Sequence, residues 1–109
     1  MNVSASPSIH FSEVSEPPRK AAICDDILRA LPNWFGIESS ISDYVRQVQQ
    51  MPFFTGFAGE QAVGFVAIKE HNSCTAEVCV MGVLMPYHRM GIGTTLIERC
   101  EQHCRDAGR

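Results

Sequence analysis

The sequence predicts a mixed α+β domain, an antiparallel meander of short strands with helices on its flanks. Three observations predict it. Apolar residues recur at helical spacing near residues 17–31, 39–51 and 91–107. Three β-branched and aromatic runs lie between Phe53 and Leu84, parted by turn residues. Helices and strands alternate only at the ends of the chain, which favours α+β over a parallel array.

The elements follow in order. Met1 to Pro7 is small and polar and is expected to fray. Ile9 to Val14 alternates apolar and polar residues and reads as a first strand. Pro17-Pro18 opens a helix, because the missing proline N–H costs nothing in a first turn. Ile23, Ile27, Ala30 and Leu31 are expected on its buried face, and Pro32 ends it. Leu31 to Gly36 forms an aromatic turn. Ser39 or Ser40 is expected to cap a second helix carrying Ile41, Tyr44, Val45, Val48 and Met51. Strands are expected at Phe53 to Phe57, Ala62 to Lys69 and Thr75 to Leu84. Tight turns at Ala58 to Gln61 and His71 to Ser73 join them. Gly91 to Ala107 is the last helix, with Ile92, Leu96, Ile97, Cys100 and Cys104 as its stripe and Gly108 as its terminating residue.

Bulk properties narrow the function. The 109 residues suit a single domain over 1–109 with one modest core. Apolar residues make up 45% and charged residues 19% of the chain, a normal globular balance. The net charge is −3 and the Lys and Arg residues do not cluster, which argues against nucleic-acid or anionic-membrane partners. No long apolar run or leader pattern is present, so a cytoplasmic location is expected. Five cysteines in no scaffold spacing read as thiols in a reducing compartment.

The strongest signal is Tyr87-His88-Arg89-Met90-Gly91-Ile92-Gly93-Thr94, a loop that opens the last helix. Unpaired N–H groups and the helix dipole make such an end a phosphate site. Glycine at 91 and 93 lets the backbone approach an anion closely. An ordinary strand-to-helix turn would carry similar residues. The Walker loop fails, because Thr94 stands where its lysine belongs. The dinucleotide fingerprint fails at Leu96, which stands where its third glycine belongs.

Val83 to Ile97 resembles the central cofactor motif of the GNAT superfamily of N-acetyltransferases, V-x-P-x-x-(Q/R)-x-x-G-x-(G/A) followed by a helix. The upstream element order also matches, from about Ile9 to Arg109. The resemblance implies acetyl-CoA as donor and an amine as acceptor. It implies that Val83, Leu84 and Met85 lie along the pantetheine arm. His88, Arg89, Met90, Gly91, Ile92, Gly93 and Thr94 would form the diphosphate loop. His88 replaces the usual Gln or Arg, and Met85 the usual proline, with Pro86 one place later. The family's further strand, helix and two strands have no counterpart before Arg109, so a partial GNAT domain is expected. A catalytically incomplete fragment, or a CoA-binding module without transfer, is the alternative. The Thr75–Leu84 edge is expected to pair with a second copy as a homodimer.

Glu77 is the candidate general base, six residues before Val83. Strand alternation would place it with Cys79, Met81 and Val83, apolar company that would make it a stronger base. A solvent-facing glutamate is the bland alternative. Backbone N–H groups near Val83 are candidate oxyanion donors. Tyr87 and His88 are candidate proton donors. Trp34, Phe35 and Phe53 line an acceptor pocket or belong to the core. Cys100, His103 and Cys104 are too few for a structural zinc site, and no metal is expected. Cys79 has no basic partner in the sequence that would make it a nucleophile.

Overall fold

The computed structural model describes residues 8–72 and 75–107. The fraying expected of Met1 to Pro7, the turn residue Ser73 and the terminator Gly108 lie outside the described residues. The elements are β1 (Ile9–Glu13), α1 (Pro17–Arg29), α2 (Glu38–Gln47), β2 (Phe53–Ala58), β3 (Gln61–Asn72), β4 (Thr75–Val83) and α3 (Ile92–Asp106). Short 3-10 turns span Val48–Gln50 and Met85–Tyr87. The four strands pair in the order β1-β2-β3-β4, every pair antiparallel. This is the expected α+β meander with flanking helices.

Helix α1 begins at Pro17, as the proline pair requires. It stops at Arg29, three residues before Pro32, because proline disfavours helical geometry in the residue before it. Its buried face is Ile23, Cys24, Ile27 and Leu28, continued by Leu31. Ala30 was expected on that face but points to solvent, while Cys24 and Leu28 complete the 3.6-residue stripe. Helix α2 corrects a second expectation. It starts at Glu38 with Ile37 at its cap, and neither Ser39 nor Ser40 caps it. A carboxylate in the first turn suits the helix dipole. Arg29 grips Glu38 at 2.6 and 2.7 Å, tying α1 to α2 and holding that carboxyl at about 2.

The sheet has a core on each face. Phe53, Phe65, Ala67 and Val80 pack against α1 and α2. Phe53 and Phe65 stack with ring centroids 5.1 Å apart. On the opposite face, Phe54, Val63, Val66 and Ile68 meet Ile92, Leu96 and Cys100 of α3. Strand β3 is thus covered on both sides, which explains its nearly continuous apolar run. Each such side chain contributes roughly 1.5–3 kcal/mol by burial.

Strand β3 is longer than expected. His71, read as a turn residue, continues the strand. The β3–β4 register breaks where Ala67 pairs with Val80 but Ile68 pairs with Val78, leaving Cys79 as an extra residue. This bulge breaks the simple alternation on β4. Cys79 and Val80 both pack toward α1 and α2, whereas Val83 packs toward α3. Met81 pairs with Val66 of the α3 side. Glu77 and Cys79 therefore do not share a face with Met81 and Val83.

Candidate functional site

Strand β4 hands over to α3 through a tightly bonded loop. Leu84 N–H donates to the Val63 carbonyl at 2.9 Å, fastening the end of β4 to β3. The Leu84 carbonyl accepts from Tyr87 N–H at 2.9 Å, and Met85 accepts from His88 N–H at 3.1 Å. Pro86 sits within this 3-10 turn, where its missing N–H is harmless. The chain then takes two left-handed steps, at Arg89 (φ 68°) and Gly91 (φ 77°). Arg89 adopts that conformation at a cost of about 1–2 kcal/mol. A Cβ on Gly91 would meet no atom within 4 Å, so glycine is required there by its dihedral angle rather than by space.

Gly91 is the cap of α3, and no side chain caps that end. The first helical bond runs from Thr95 N–H to the Gly91 carbonyl at 3.0 Å. The amides of Ile92, Gly93 and Thr94 precede it and have no intrahelical acceptor. Left-handed residues flanking unpaired amides form a concave donor surface, and the helix dipole adds partial positive charge. An anion fits such a surface.

Packing fixes this donor surface in place. Ile92 is buried over β3, and a Cβ on Gly64 would lie 3.0 Å from Ile92 Cγ2. Bare backbone at Gly64 lets the helix end sit low on the sheet. His88 Nε2 lies 2.6 Å from the Val83 carbonyl oxygen, and with its proton on Nε2 the ring donates to it. The Trp34 ring meets His88 edge-on, with centroids 5.8 Å apart. The α1–α2 turn, the loop and the end of β4 are joined through that one histidine.

Between them lies a cavity of about 550 Å³. That volume is in the range of small-molecule sites, about 300–1,000 Å³. Of the expected binding residues, Val83, His88, Arg89, Gly91, Ile92, Gly93 and Thr94 border it. Leu84 instead packs with the cores, and Met85 and Met90 are exposed. Trp34 and Phe35 also line the cavity, while Phe53 belongs to the core.

Leu31, Met81 and Gly82 line it as well and were not anticipated. Gly82 had a readable signal, since glycine inside a strand marks close approach. A Cβ there would stand 3.1 Å from Ile27 and 3.3 Å from Leu31.

Glu77 stands apart from this cavity. Its side chain is 61% exposed, and Oε1 lies 2.6 Å from His71 Nε2. It borders a second groove, between β4 and α3. Of the company expected for it, Met81 and Val83 face the other side of the sheet, because the bulge at Cys79 intervenes. Cys24, Cys79 and Cys100 are poor nucleophiles. Burial pushes Cys24 up to about 12 and Cys100 up to about 11, and it raises Cys79. Cys100 and Cys104 pack under α3, while His103 lies 3.5 Å from Glu70. Among the described residues, no three His, Cys, Asp or Glu side chains are grouped to hold a metal ion. No helix there is long and apolar enough to cross a membrane.

Comparison with known proteins adds independent findings. A family model described as "Acetyltransferase (GNAT) family" matches residues 20–109. No curated protein matches the sequence. Solved structures do match in shape. The PaiA N-acetyltransferase from Thermoplasma acidophilum, in complex with coenzyme A, superposes with a TM-score of 0.71 at 21% identity; the match covers 93% of this chain and 74% of that one. An aminoglycoside 6'-N-acetyltransferase complexed with coenzyme A gives 0.75 at 20% identity, covering 91% and 57%. A putative acetyltransferase from Pyrococcus horikoshii gives 0.72 at 23% identity, covering 96% and 37%. At these identities the likeness is one of fold.

Proposed function

The chain belongs to the acetyltransferase (GNAT) family, and from that premise we propose that it transfers an acetyl group from acetyl-coenzyme A to an amine. The carrying observation is the left-handed cap at Gly91, with the unpaired amides of Ile92, Gly93 and Thr94 behind it. A diphosphate suits that surface, and Arg89 adds a positive charge beside it. The main chain of Val83, at the cavity wall, would run along the pantetheine arm, with Leu84 and Met85 following it in the chain.

The coenzyme supplies the acetyl group as a thioester. An amide bond forms at the amine nitrogen, the thioester C–S bond breaks, and the proton lost by nitrogen ends on the thiol. Protein groups must take that proton first. Our candidate for this is Glu77 on β4, which stands outside the cavity, so the proton would reach it through water. His71 holds it by a bond of 2.6 Å. Backbone N–H groups near Val83 are the donors for the developing oxyanion.

The test is thiol release from acetyl-CoA across an amine panel, with desulfo-CoA binding measured in parallel. Amine-dependent release that falls in Glu77→Gln is expected. Binding without release for any amine contradicts transfer and identifies a coenzyme-binding module. Among the described residues β4 is an outer strand of the sheet, which supports pairing with a second copy of the chain. Light scattering should then give a dimer mass, and a monodisperse monomer contradicts the pairing.

A further inference from the structure

The cavity before α3 has walls of two kinds. The amides of Ile92, Gly93 and Thr94, with Arg89, suit an anion. The α1–α2 turn adds Leu31, Trp34 and Phe35, and β4 adds Met81 and Gly82, all of them apolar. Coenzyme A has the same division. Its diphosphate is followed by the pantetheine arm, an uncharged chain with a dimethyl-substituted carbon and two amides. We propose that Trp34 is a specificity-determining residue for the coenzyme: its indole lies against the pantetheine arm, so the chain selects a coenzyme thioester over a bare nucleotide diphosphate. The assignment rests on the transferase reading above.

Packing brings the indole to the arm. Gly82 lets α1 approach β4 closely, since a Cβ there would stand 3.1 Å from Ile27 and 3.3 Å from Leu31. Leu31 begins the turn that carries Trp34. Its carbonyl accepts from the backbone N–H of Trp34 at 3.0 Å and from that of Phe35 at 2.9 Å. Phe35 is braced edge-on against Tyr44 of α2. The indole meets His88 edge-on, and His88 Nε2 lies 2.6 Å from the Val83 carbonyl oxygen. One side chain thus links Trp34 to the stretch of main chain along which the arm would run.

Exposure supplies the driving force. Trp34 is 58% exposed although its turn is held on both sides. An aromatic face left in water gains by being covered, in proportion to the apolar area removed. Because the turn already orders the residue, little further freedom is lost on binding. A nucleotide that ends at its diphosphate meets the amides and leaves the indole wet. The hydrocarbon of the arm covers it.

Trp34 is the only tryptophan of the chain, so its emission reports on this wall directly. The full chain is titrated with desulfo-CoA and separately with 3′-phospho-ADP, the coenzyme's nucleotide without its arm. A saturable emission change is expected with desulfo-CoA and none with the nucleotide. By calorimetry, Trp34→Ala should weaken desulfo-CoA about tenfold and leave the nucleotide's affinity unchanged, and Trp34→Phe should restore most of the loss. The lost contact is apolar, so the loss should persist between about 0.1 and about 1 M salt, whereas the loss in Arg89→Ala should shrink. A nucleotide too weak to measure supports the proposal when Trp34→Phe restores desulfo-CoA binding, because the arm then carries the affinity.

An equal loss for both ligands in Trp34→Ala overturns the proposal, since Trp34 would then only prop His88 and the anion loop. If desulfo-CoA fails to bind the native chain at millimolar concentration, the transferase reading falls and this one with it. If desulfo-CoA binds the native chain and Trp34→Ala equally tightly, this inference alone falls.

Discussion

Gly64 of β3 lies directly beneath Ile92 of α3, so close that an added Cβ would stand 3.0 Å from Ile92 Cγ2 and 3.3 Å from Val83 Cγ2. The position is occupied on both sides by parts of the loop frame, the end of β4 and the start of the helix. Gly64→Ala should therefore lift the helix end and destabilise the fold by about 1–3 kcal/mol through overpacking. Urea unfolding measures this directly. An unchanged midpoint would mean that the helix end is not seated as described.

His88 joins three segments through its bond to the Val83 carbonyl and its contact with Trp34. Removing the ring in His88→Ala deletes one hydrogen bond, worth about 1 kcal/mol. Coenzyme affinity should drop roughly fivefold as the loop loosens. The melting temperature should fall by a few degrees, as a loss of about 1 kcal/mol implies. Calorimetry with desulfo-CoA together with thermal unfolding separates the two effects.

Glu77 and His71 should act as a unit. Glu77→Gln removes the base and should lower kcat by about 10²–10⁴-fold while sparing coenzyme binding. His71→Ala keeps the carboxylate but frees it to rotate, so a smaller loss, confined to kcat, is expected. Steady-state kinetics on an accepted amine decides. Full activity in Glu77→Gln would assign the proton to water or to another group.

The buried thiols bear on pH. Burial raises Cys24 from 9.0 to about 12, so folding favours its protonated form. That stabilisation is complete below the unfolded value of 9.0 and is lost as pH rises from there toward 12. The urea midpoint should thus decline above about pH 9, and Cys24→Ala should flatten the decline. Iodoacetamide at pH 8 should modify Cys24 and Cys100 in the folded chain far more slowly than after unfolding.

Local patterns made much of this molecule readable. Helical spacing located α1, α2 and α3, and turn chemistry marked Ala58 to Gln61, where Gly59 takes φ 62°. The loop that opens α3 was legible as a helix start because its signal, two glycines at that start, is contiguous. What failed was set by partners remote in sequence. The bulge at Cys79 exists only relative to β3, so alternation along β4 placed Glu77 on the wrong side of it. The start of α2 follows the Arg29–Glu38 pair between helices rather than a serine cap. Gly82 and Leu31 came to the cavity through packing of α1 on the sheet, which no spacing along the chain records.

The central claim is that the loop before α3 holds the diphosphate of coenzyme A, and Gly91 and Gly93 test it against each other. Gly91→Ala forces a side chain into a left-handed conformation and should cost about 1–2 kcal/mol locally. Gly93→Ala places its Cβ 3.9 Å from Met81 Cε, an ordinary contact that leaves the fold alone but crowds the anion surface. Isothermal calorimetry of desulfo-CoA with the native chain and both variants is the decisive measurement. Saturable binding is expected for the native chain, roughly tenfold weaker or worse in each variant, with Gly93→Ala as stable as the native chain. No binding to the native chain at millimolar ligand, or equal affinity in all three proteins, would contradict the assignment.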